Sequence, residues 1–145
     1  MSVVNLGKQH PAAYKQLVSL NEQAEEAVRQ AELDPLLAEL VKIRISQING
    51  CAFCLRMHTR DAVEKGETGD RLAVVAAWWE SQYFTSQERA ALALAEQVTR
   101  LPVPDAHTWD DGSLTPAQAS AVGWLAVVMN AWNRVAITSG YPVGP

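Results

Sequence analysis

Two cysteines and one histidine lie close together near the middle of the 145-residue chain, and their types and spacing suit them for chemistry. Cys51 and Cys54 are the only cysteines, and His58 follows four residues after the second. Steps of three and four residues return to the same face of a helix, so one helix would bring all three side chains onto a single stripe. A pair of thiols beside an imidazole favours thiol redox chemistry.

The neighbouring residues predict where that helix begins and ends. Asn49-Gly50 precedes Cys51, and both residue types can adopt the left-handed conformation that ends a helix. A new helix is therefore expected to begin at about Cys51 and to run through Glu64. The partial positive charge of a helix N-terminus lowers the pKa of a nearby thiol from its free value of ~8.5 and favours the thiolate, which is the nucleophile.

The histidine adds a second activating group. Helical side chains lean toward the N-terminus, so the ring of His58 is predicted to cover Cys54. There it can take the thiol proton as a general base, or hold the thiolate as an imidazolium. Helix position alone instead favours Cys51 as the thiol with the lower pKa, so the residues leave open which cysteine attacks.

Three other interpretations use the same residues. A closed zinc site needs a fourth ligand, for which the sequence offers Glu39, His10 or His107. Covalent haem attachment requires a histidine directly after the second cysteine, where Leu55 stands, and is excluded. The third interpretation is a pair of buried cysteines that only pack, which is less typical of a C-x-x-C at a helix start. We expect no metal and no cofactor.

The segment that carries these residues resembles the alkylhydroperoxidase AhpD-like proteins of the carboxymuconolactone decarboxylase superfamily. Their redox members share a glutamate, eleven residues and then C-x-x-C-x-x-x-H, and Glu39, Cys51, Cys54 and His58 match that pattern position by position. The resemblance covers nearly all of the chain and is closest over residues 36–100.

This resemblance implies a thiol-dependent peroxidase. Cys54, deprotonated with help from His58 and from Glu39 through a water, would attack the O–O bond of a hydroperoxide and become a sulfenic acid. Cys51 would condense with it to a disulfide, and a dithiol reductant (an adaptor protein, a thioredoxin-like protein or a small thiol) would reset the pair. In the best-known peroxidase members a second histidine stands where this chain has Phe53, so one proton-handling group is missing and the activity is expected to be weaker or differently tuned.

Glu39 also has a purely structural interpretation. Lys42 follows it by three residues, a spacing typical of a solvated ion pair on a helix surface that contributes little to stability. Glu39 can approach Cys51 only if the chain reverses at Asn49-Gly50, because a straight helix would separate the two by ~18 Å.

Two further functions remain open. The superfamily name implies a decarboxylase or other lyase acting on a lactone acid, but those members lack the cysteine pair. A redox-responsive stress protein would use the same disulfide with little turnover, to change a partner surface. The presence of Cys51 and Cys54 favours the peroxidase over the lyase.

Composition excludes several classes of partner. The net charge is -4 and there is no cluster of Lys and Arg, which argues against binding nucleic acid or an anionic membrane. Residues 1–16 lack the apolar run of a signal peptide, and no apolar stretch approaches the ~20 residues of a membrane span. We therefore expect a cytoplasmic protein, and in a reducing compartment a vicinal cysteine pair is more typically catalytic than structural.

The sequence predicts an all-α fold: a single compact helical domain of about six helices, with 48% apolar residues to form its core. We expect an N-terminal helix in residues 1–33, with its amphipathic pattern running from residue 11 to residue 33, a redox core over residues 34–100 and a long C-terminal helix in residues 113–140. Asp34-Pro35, the Thr85 capping box and Thr115-Pro116 mark three helix starts, and another helix is expected over residues 70–82.

Two apolar features are candidates for roles beyond packing in the core of one subunit. The last helix is apolar almost all round, which fits either a central core helix or a subunit interface; the resemblance implies a homo-oligomer, a trimer or hexamer. Trp78-Trp79 follow the redox helix and are candidates to line a hydrophobic substrate channel, although adjacent tryptophans point to different faces.

Overall fold

Helices account for all the regular secondary structure in the part of the chain that the computed structural model describes, residues 3–101 and 111–145. The all-α class predicted from the sequence is confirmed. Within those residues there is one more α-helix than the expected six, a single turn near the N-terminus, and a short 3₁₀ helix covers Val75–Glu80. The α-helices are α1 (Leu6–Gln9), α2 (Pro11–Gln30), α3 (Pro35–Asn49), α4 (Ala52–Glu64), α5 (Gly69–Val74), α6 (Ser86–Arg100) and α7 (Pro116–Thr138).

The three helix starts predicted from local signals are confirmed. The Asp34 side chain accepts a hydrogen bond of 2.8 Å from the backbone N–H of Leu36, and a proline occupies the first turn of α3. Thr85 and Thr115 each form a reciprocal capping box, with the residue three positions on, at the start of α6 and α7. These contacts satisfy backbone N–H groups that have no partner inside the helix.

The single helix expected over residues 70–82 is wrong. Helix α5 ends at Val74, and the 3₁₀ helix that follows contains a non-helical residue, Ala77, with φ -129° and ψ 36°. The break lets the Trp78 indole donate a hydrogen bond of 2.9 Å to Glu96 on α6. The Arg89 guanidinium donates to the backbone carbonyls of Trp78, Trp79 and Ser81, so tertiary hydrogen bonds replace those that a continuous helix would have made.

The first long helix is also shorter than expected. Helix α2 ends at Gln30 rather than at residue 33. Glu32 has a positive φ of 56°, which a continuing helix cannot accommodate.

Helix α3 is the buried axis of the molecule. All ten residues from Leu37 to Ser46 are buried, although four of them, Glu39, Lys42, Arg44 and Ser46, are polar or charged. Helices α2, α4, α6 and α7 all pack against α3. A helix covered on all sides brings its polar side chains into the interior, where each needs a partner.

The chain reverses between α3 and α4 at Gly50. This residue has φ 69° and ψ 35°, the left-handed conformation that ends the helix, as the Asn49-Gly50 pair predicted. The backbone N–H of Cys51 then donates a hydrogen bond of 3.0 Å to the carbonyl of Ser46. The reversal lays α4 back along α3, which is the condition for Glu39 to approach the residues of α4.

A network of polar side chains joins the C-terminal end of α3 to α7. The Asn133 amide is fully buried and donates a hydrogen bond of 3.1 Å to the hydroxyl of Ser46. The Asn49 amide donates to the side-chain oxygens of both Asn130 and Asn133, each at 2.9 Å. These contacts fix the end of α3 immediately before the turn that leads to the cysteines.

Helix α7 is part core and part surface. Val122, Leu125 and Val128 are buried, which confirms the core interpretation for one side of the helix. Trp124 and Val127 are about half exposed on another side. None of the described helices is both long and apolar enough to cross a membrane.

We predict that Asn133→Ala lowers the free energy of unfolding by about 2 kcal/mol, because Ser46 and Asn49 lose a buried hydrogen-bond partner. Urea denaturation of the native protein and the variant measures this loss. Arg134→Ala is the matched control, since Arg134 is exposed and its hydrogen bonds stay within α7. Equal stability of the two variants would show that the network does not hold the end of α3.

Candidate active site

Cys51 and Cys54 form a disulfide at the start of α4. Their Cα atoms are 5.3 Å apart, and the residues are only 1% and 2% exposed. Cys51 is the N-cap residue of the helix, as its position in the sequence predicted. The backbone N–H of Cys54 donates to the Cys51 Sγ at 3.3 Å, so the helix N-terminus provides a hydrogen-bond donor to that sulfur atom.

Glu39 and His58 meet directly across the α3–α4 pair. The distance from His58 Nδ1 to Glu39 Oε2 is 3.2 Å, and both residues are buried. An ionised carboxylate only accepts hydrogen bonds, so Nδ1 carries the hydrogen, and Nε2 is the ring nitrogen that can accept a proton. The sequence-based expectation had Glu39 assisting Cys54 through a water; the contact seen here is with His58.

The surroundings of Glu39 keep its carboxyl ionised. Burial raises the pKa, but the hydrogen bond from His58, the charge of Lys42 and the hydrogen bond from Lys65 outweigh it and lower the pKa from 4.5 to about 2. Lys42 Nζ lies 3.3 Å and Lys65 Nζ 2.5 Å from Oε1, the oxygen that His58 does not contact. The interpretation of Glu39 as a solvated surface ion pair is therefore wrong, because its side chain is 1% exposed.

Lys42 also pairs with Glu25 of α2. Its side chain is 10% exposed and lies between two carboxylates, one from α2 and one from α3. Burial lowers the pKa of Lys42, but the charges of Glu39 and Glu25 outweigh that effect and raise it. Sequence reasoning treated Lys42 only as a surface partner and missed Glu25, which is 17 residues from Lys42 and matches no motif.

A cavity of about 330 Å³ opens beside Cys54 and His58. Among the described residues, Cys54 lines it and Cys51 does not. Its wall is mostly apolar, with a polar part formed by the Lys42–Glu25 pair. The lining residues are Tyr14, Asn21, Glu25, Lys42, Phe53, Cys54, Met57, His58, Leu125, Met129, Trp132, Ala136 and Tyr141.

Aromatic rings form much of the apolar wall. Phe53 packs edge-to-face on Tyr141 with ring centroids 5.1 Å apart, and Tyr14 packs on Trp132 at 5.3 Å in the same manner. Tyr141 belongs to the segment after α7, a contribution that local sequence patterns did not predict. Phe53 is thus part of an apolar surface of the cavity.

The tryptophan pair is not part of this cavity. Trp78 bonds to Glu96, and Trp79 is 51% exposed. Neither is among the residues that line the space beside Cys54, so the expectation that Trp78-Trp79 line a substrate channel is not met.

The arrangement does not suit a zinc ion. The two cysteines are bonded to each other, His10 is exposed at the end of α1, and His107 lies outside the described residues. Ligand atoms of Glu39, His58 and Asp61 lie within 4.8 Å of one another. A cation at that point would have to displace the ammonium groups of Lys42 and Lys65, which already contact the same carboxylate.

Fold and site together define an all-helical protein with a Cys-X-X-Cys disulfide beside a buried histidine–glutamate pair. The sequence profile of the carboxymuconolactone decarboxylase family matches residues 11–97, and the chain belongs to this family. The resemblance to AhpD-like proteins of that superfamily is confirmed.

Individual relatives agree with this assignment. The uncharacterized protein YdfG of Bacillus subtilis (strain 168) is 37% identical over 121 residues, which cover 80% of this chain and 82% of that protein. The uncharacterized protein YnjA of Escherichia coli (strain K12) is 35% identical over 74 residues, 51% of this chain and 41% of that protein. A crystal structure of ATU0492 from Agrobacterium tumefaciens superposes with a TM-score of 0.83 at 29% identity, covering 99% of this chain and 100% of that one. ATU0492 is described as a protein of unknown function, suggested to be the antioxidant defence protein AhpD.

We predict that Glu39→Gln lowers the free energy of unfolding at pH 7 by about 3 kcal/mol, because it leaves the buried Lys42 ammonium without one of its carboxylates and removes the charged acceptor of His58 and Lys65. The pKa of Glu39 is lowered by folding, so its contribution is fully present above about pH 4.5 and is lost as the pH falls toward 2. The difference between the native protein and the variant should shrink over that range.

Urea denaturation at several pH values tests this dependence. Glu22→Gln is the matched control, because Glu22 is exposed on α2. A difference that stays constant from pH 5 to pH 2.5 would contradict the ionised state assigned to Glu39.

Proposed function

We propose that this protein is a thiol-dependent peroxidase of the AhpD-like type, reducing small organic hydroperoxides or hydrogen peroxide. One observation carries the proposal: Cys54 of a vicinal disulfide lines an apolar cavity beside His58, which is hydrogen-bonded to an ionised buried carboxylate. Membership of the family and the likeness to ATU0492 support an antioxidant role at the coarser level.

The first step is formation of a thiolate at Cys54. After reduction of the disulfide, Nε2 of His58 accepts the thiol proton, while Glu39 holds the ring through Nδ1 and balances the charge that develops on it. Cys54 is assigned as the attacking residue because it lines the cavity that a hydroperoxide can enter, whereas Cys51 does not. The thiolate attacks the O–O bond and becomes a sulfenic acid.

The second step closes the disulfide. The Cys51 sulfur accepts a hydrogen bond from the N-terminus of α4, an environment that stabilises its thiolate. That thiolate attacks the sulfenic acid of Cys54 and releases water, and a dithiol reductant then restores both thiols by exchange. The reductant class remains as the sequence suggested: an adaptor protein, a thioredoxin-like protein or a small thiol.

The alternatives differ in measurable ways. A lyase of the carboxymuconolactone decarboxylase type does not require the two sulfur atoms, so it would retain activity after both cysteines are replaced. A redox-responsive stress protein would form the same disulfide but turn over slowly. The burial of Cys54 and its place in the same cavity wall as the hydrogen-bonded His58 support the peroxidase.

We further propose that the protein acts in the cytoplasm as a homo-oligomer, a trimer or hexamer. A reducing compartment is needed to regenerate the dithiol. The half-exposed Trp124 and Val127 on α7 offer apolar surface for subunit contact.

We expect the reduced native protein to lose both thiols rapidly to stoichiometric cumene hydroperoxide, because the fold activates Cys54. The rate of thiol loss and the intact mass are compared with those of the same protein unfolded. Fast loss only in the folded state, with a mass lower by two hydrogens, supports the proposal. Equally slow loss in both states would show that the fold does not activate the pair and would overturn it.

The two cysteines should behave differently when replaced singly. Cys54→Ser is expected to abolish hydroperoxide consumption, whereas Cys51→Ser should react once and stop as a sulfenic acid on Cys54, because no second thiol can close the disulfide. Trapping with a sulfenic-acid reagent, followed by peptide mass analysis, locates the oxidised sulfur. A sulfenic acid on Cys51 in the Cys54→Ser variant would reverse the assigned roles.

A further inference from the structure

A buried lysine shares the cavity with the cysteine that reacts. Lys42 lines the same space as Cys54 and His58, and its side chain is 10% exposed. Phe53 lines the same cavity, packs on Tyr141 and has no proton to give. Among the described residues that line the cavity, Lys42 therefore carries an ammonium group that can donate a proton, and most of the remaining lining is apolar.

We propose that Lys42 is the general acid that protonates the leaving oxygen when Cys54 attacks a hydroperoxide. This inference rests on the peroxidase function proposed above and names a further residue for that reaction. The need for such an acid is chemical. Attack on the peroxide bond expels an alkoxide, a strongly basic leaving group, and a positioned acid lowers the barrier for its departure.

A bond forms between the Cys54 sulfur and the terminal peroxide oxygen, the O–O bond breaks, the sulfur is oxidised by two electrons, and the peroxide is reduced by two. The departing alkoxide takes a proton from Lys42 and leaves as an alcohol, while the original thiol proton resides on His58. Exchange with solvent at the mouth of the cavity restores both groups, so the sum is thiol plus hydroperoxide giving sulfenic acid plus alcohol.

The charges around Lys42 keep its proton available. Glu25 on α2 and Glu39 on α3 both contact the ammonium group, and their charges raise its pKa against the lowering effect of burial. The group is thus protonated at neutral pH when the alkoxide forms. Besides the Cys54 thiol, the titratable groups that share the cavity or the ion cluster with Lys42 are Glu25, Tyr14, Glu39, His58, Tyr141 and Lys65, and Asp61 faces His58 at 3.7 Å.

Lys65 provides a matched control that separates direct proton donation by Lys42 from an effect transmitted through Glu39. It contacts the same oxygen of Glu39 as Lys42 does, so either lysine can influence His58 through that carboxylate. Lys65 is 42% exposed and is not among the residues that line the cavity. An effect that passes through Glu39 should follow from losing either lysine, whereas direct proton donation to the leaving oxygen should require Lys42.

The experiment compares two oxidants with different leaving groups. tert-Butyl hydroperoxide expels a strongly basic alkoxide that needs a proton, whereas peroxyacetic acid expels acetate, a weakly basic carboxylate that leaves without one. Single-turnover rate constants for thiol loss are measured for the native protein, Lys42→Met, Lys42→Arg and Lys65→Met. Circular dichroism and the thermal midpoint of each variant establish that it is folded.

We expect Lys42→Met to slow the reaction with tert-butyl hydroperoxide by about 100-fold, the usual range for loss of a general acid, and to change the reaction with peroxyacetic acid little. Lys65→Met should alter both reactions by the same factor. Lys42→Arg should resemble Lys42→Met, because a guanidinium keeps the charge but does not give up its proton. Equal slowing of both oxidants by Lys42→Met, or a full rate in Lys42→Arg, would overturn the proposal.

Glu25→Gln tests the role of Lys42 if Lys42→Met does not fold. Glu25→Gln leaves Lys42 with one carboxylate partner and should lower its pKa, so the rate with tert-butyl hydroperoxide should begin to fall at a lower alkaline pH than in the native protein. An unchanged alkaline limb would contradict the role of Lys42. Slow thiol loss from the native protein with both oxidants would instead be a failure of the peroxidase function itself.

Discussion

The buried carboxylate of Glu39 is the group on which the rest of the site depends. An isolated charge in the interior would cost several kcal/mol, and the fold offsets that cost by placing Lys42, His58 and Lys65 around it. Lys42 belongs to α3, His58 to α4 and Lys65 to the residue directly after α4, and Glu25 of α2 joins the cluster through Lys42. The ion pairs and hydrogen bonds that stabilise the buried charge therefore also join α2, α3 and α4 at the wall of the cavity.

That ion cluster can form only because α3 and α4 run back on each other. Gly50 adopts a left-handed conformation that a side chain would disfavour, and the amides of Asn49, Asn130 and Asn133 fix the end of α3 against α7. Residues 19 apart in sequence, Glu39 and His58, thereby come within hydrogen-bond distance. The turn and the amide network thus help to position the site, although none of their residues lines the cavity beside Cys54.

Local signals were sufficient to predict the helix starts, the reversal at Gly50 and the position of Cys51 at a helix N-terminus, because caps and turns depend on a few adjacent residues. The 3₁₀ break near Ala77 was not predictable, since it depends on hydrogen bonds made by Arg89 and Glu96 from another helix. The burial of Lys42 and its pairing with Glu25 were not predictable either. The spacing of three residues between Glu39 and Lys42 is the same on a surface helix and on a fully buried one, so it does not show which of the two is present.

Each carboxylate oxygen of Glu39 contacts a different group of the proposed proton transfers. Oε2 contacts His58, the proposed base for Cys54, and Oε1 contacts Lys42, the proposed acid for the leaving oxygen. Both partners line the cavity that holds the reacting sulfur. A single carboxylate therefore contacts both the proposed proton acceptor and the proposed proton donor.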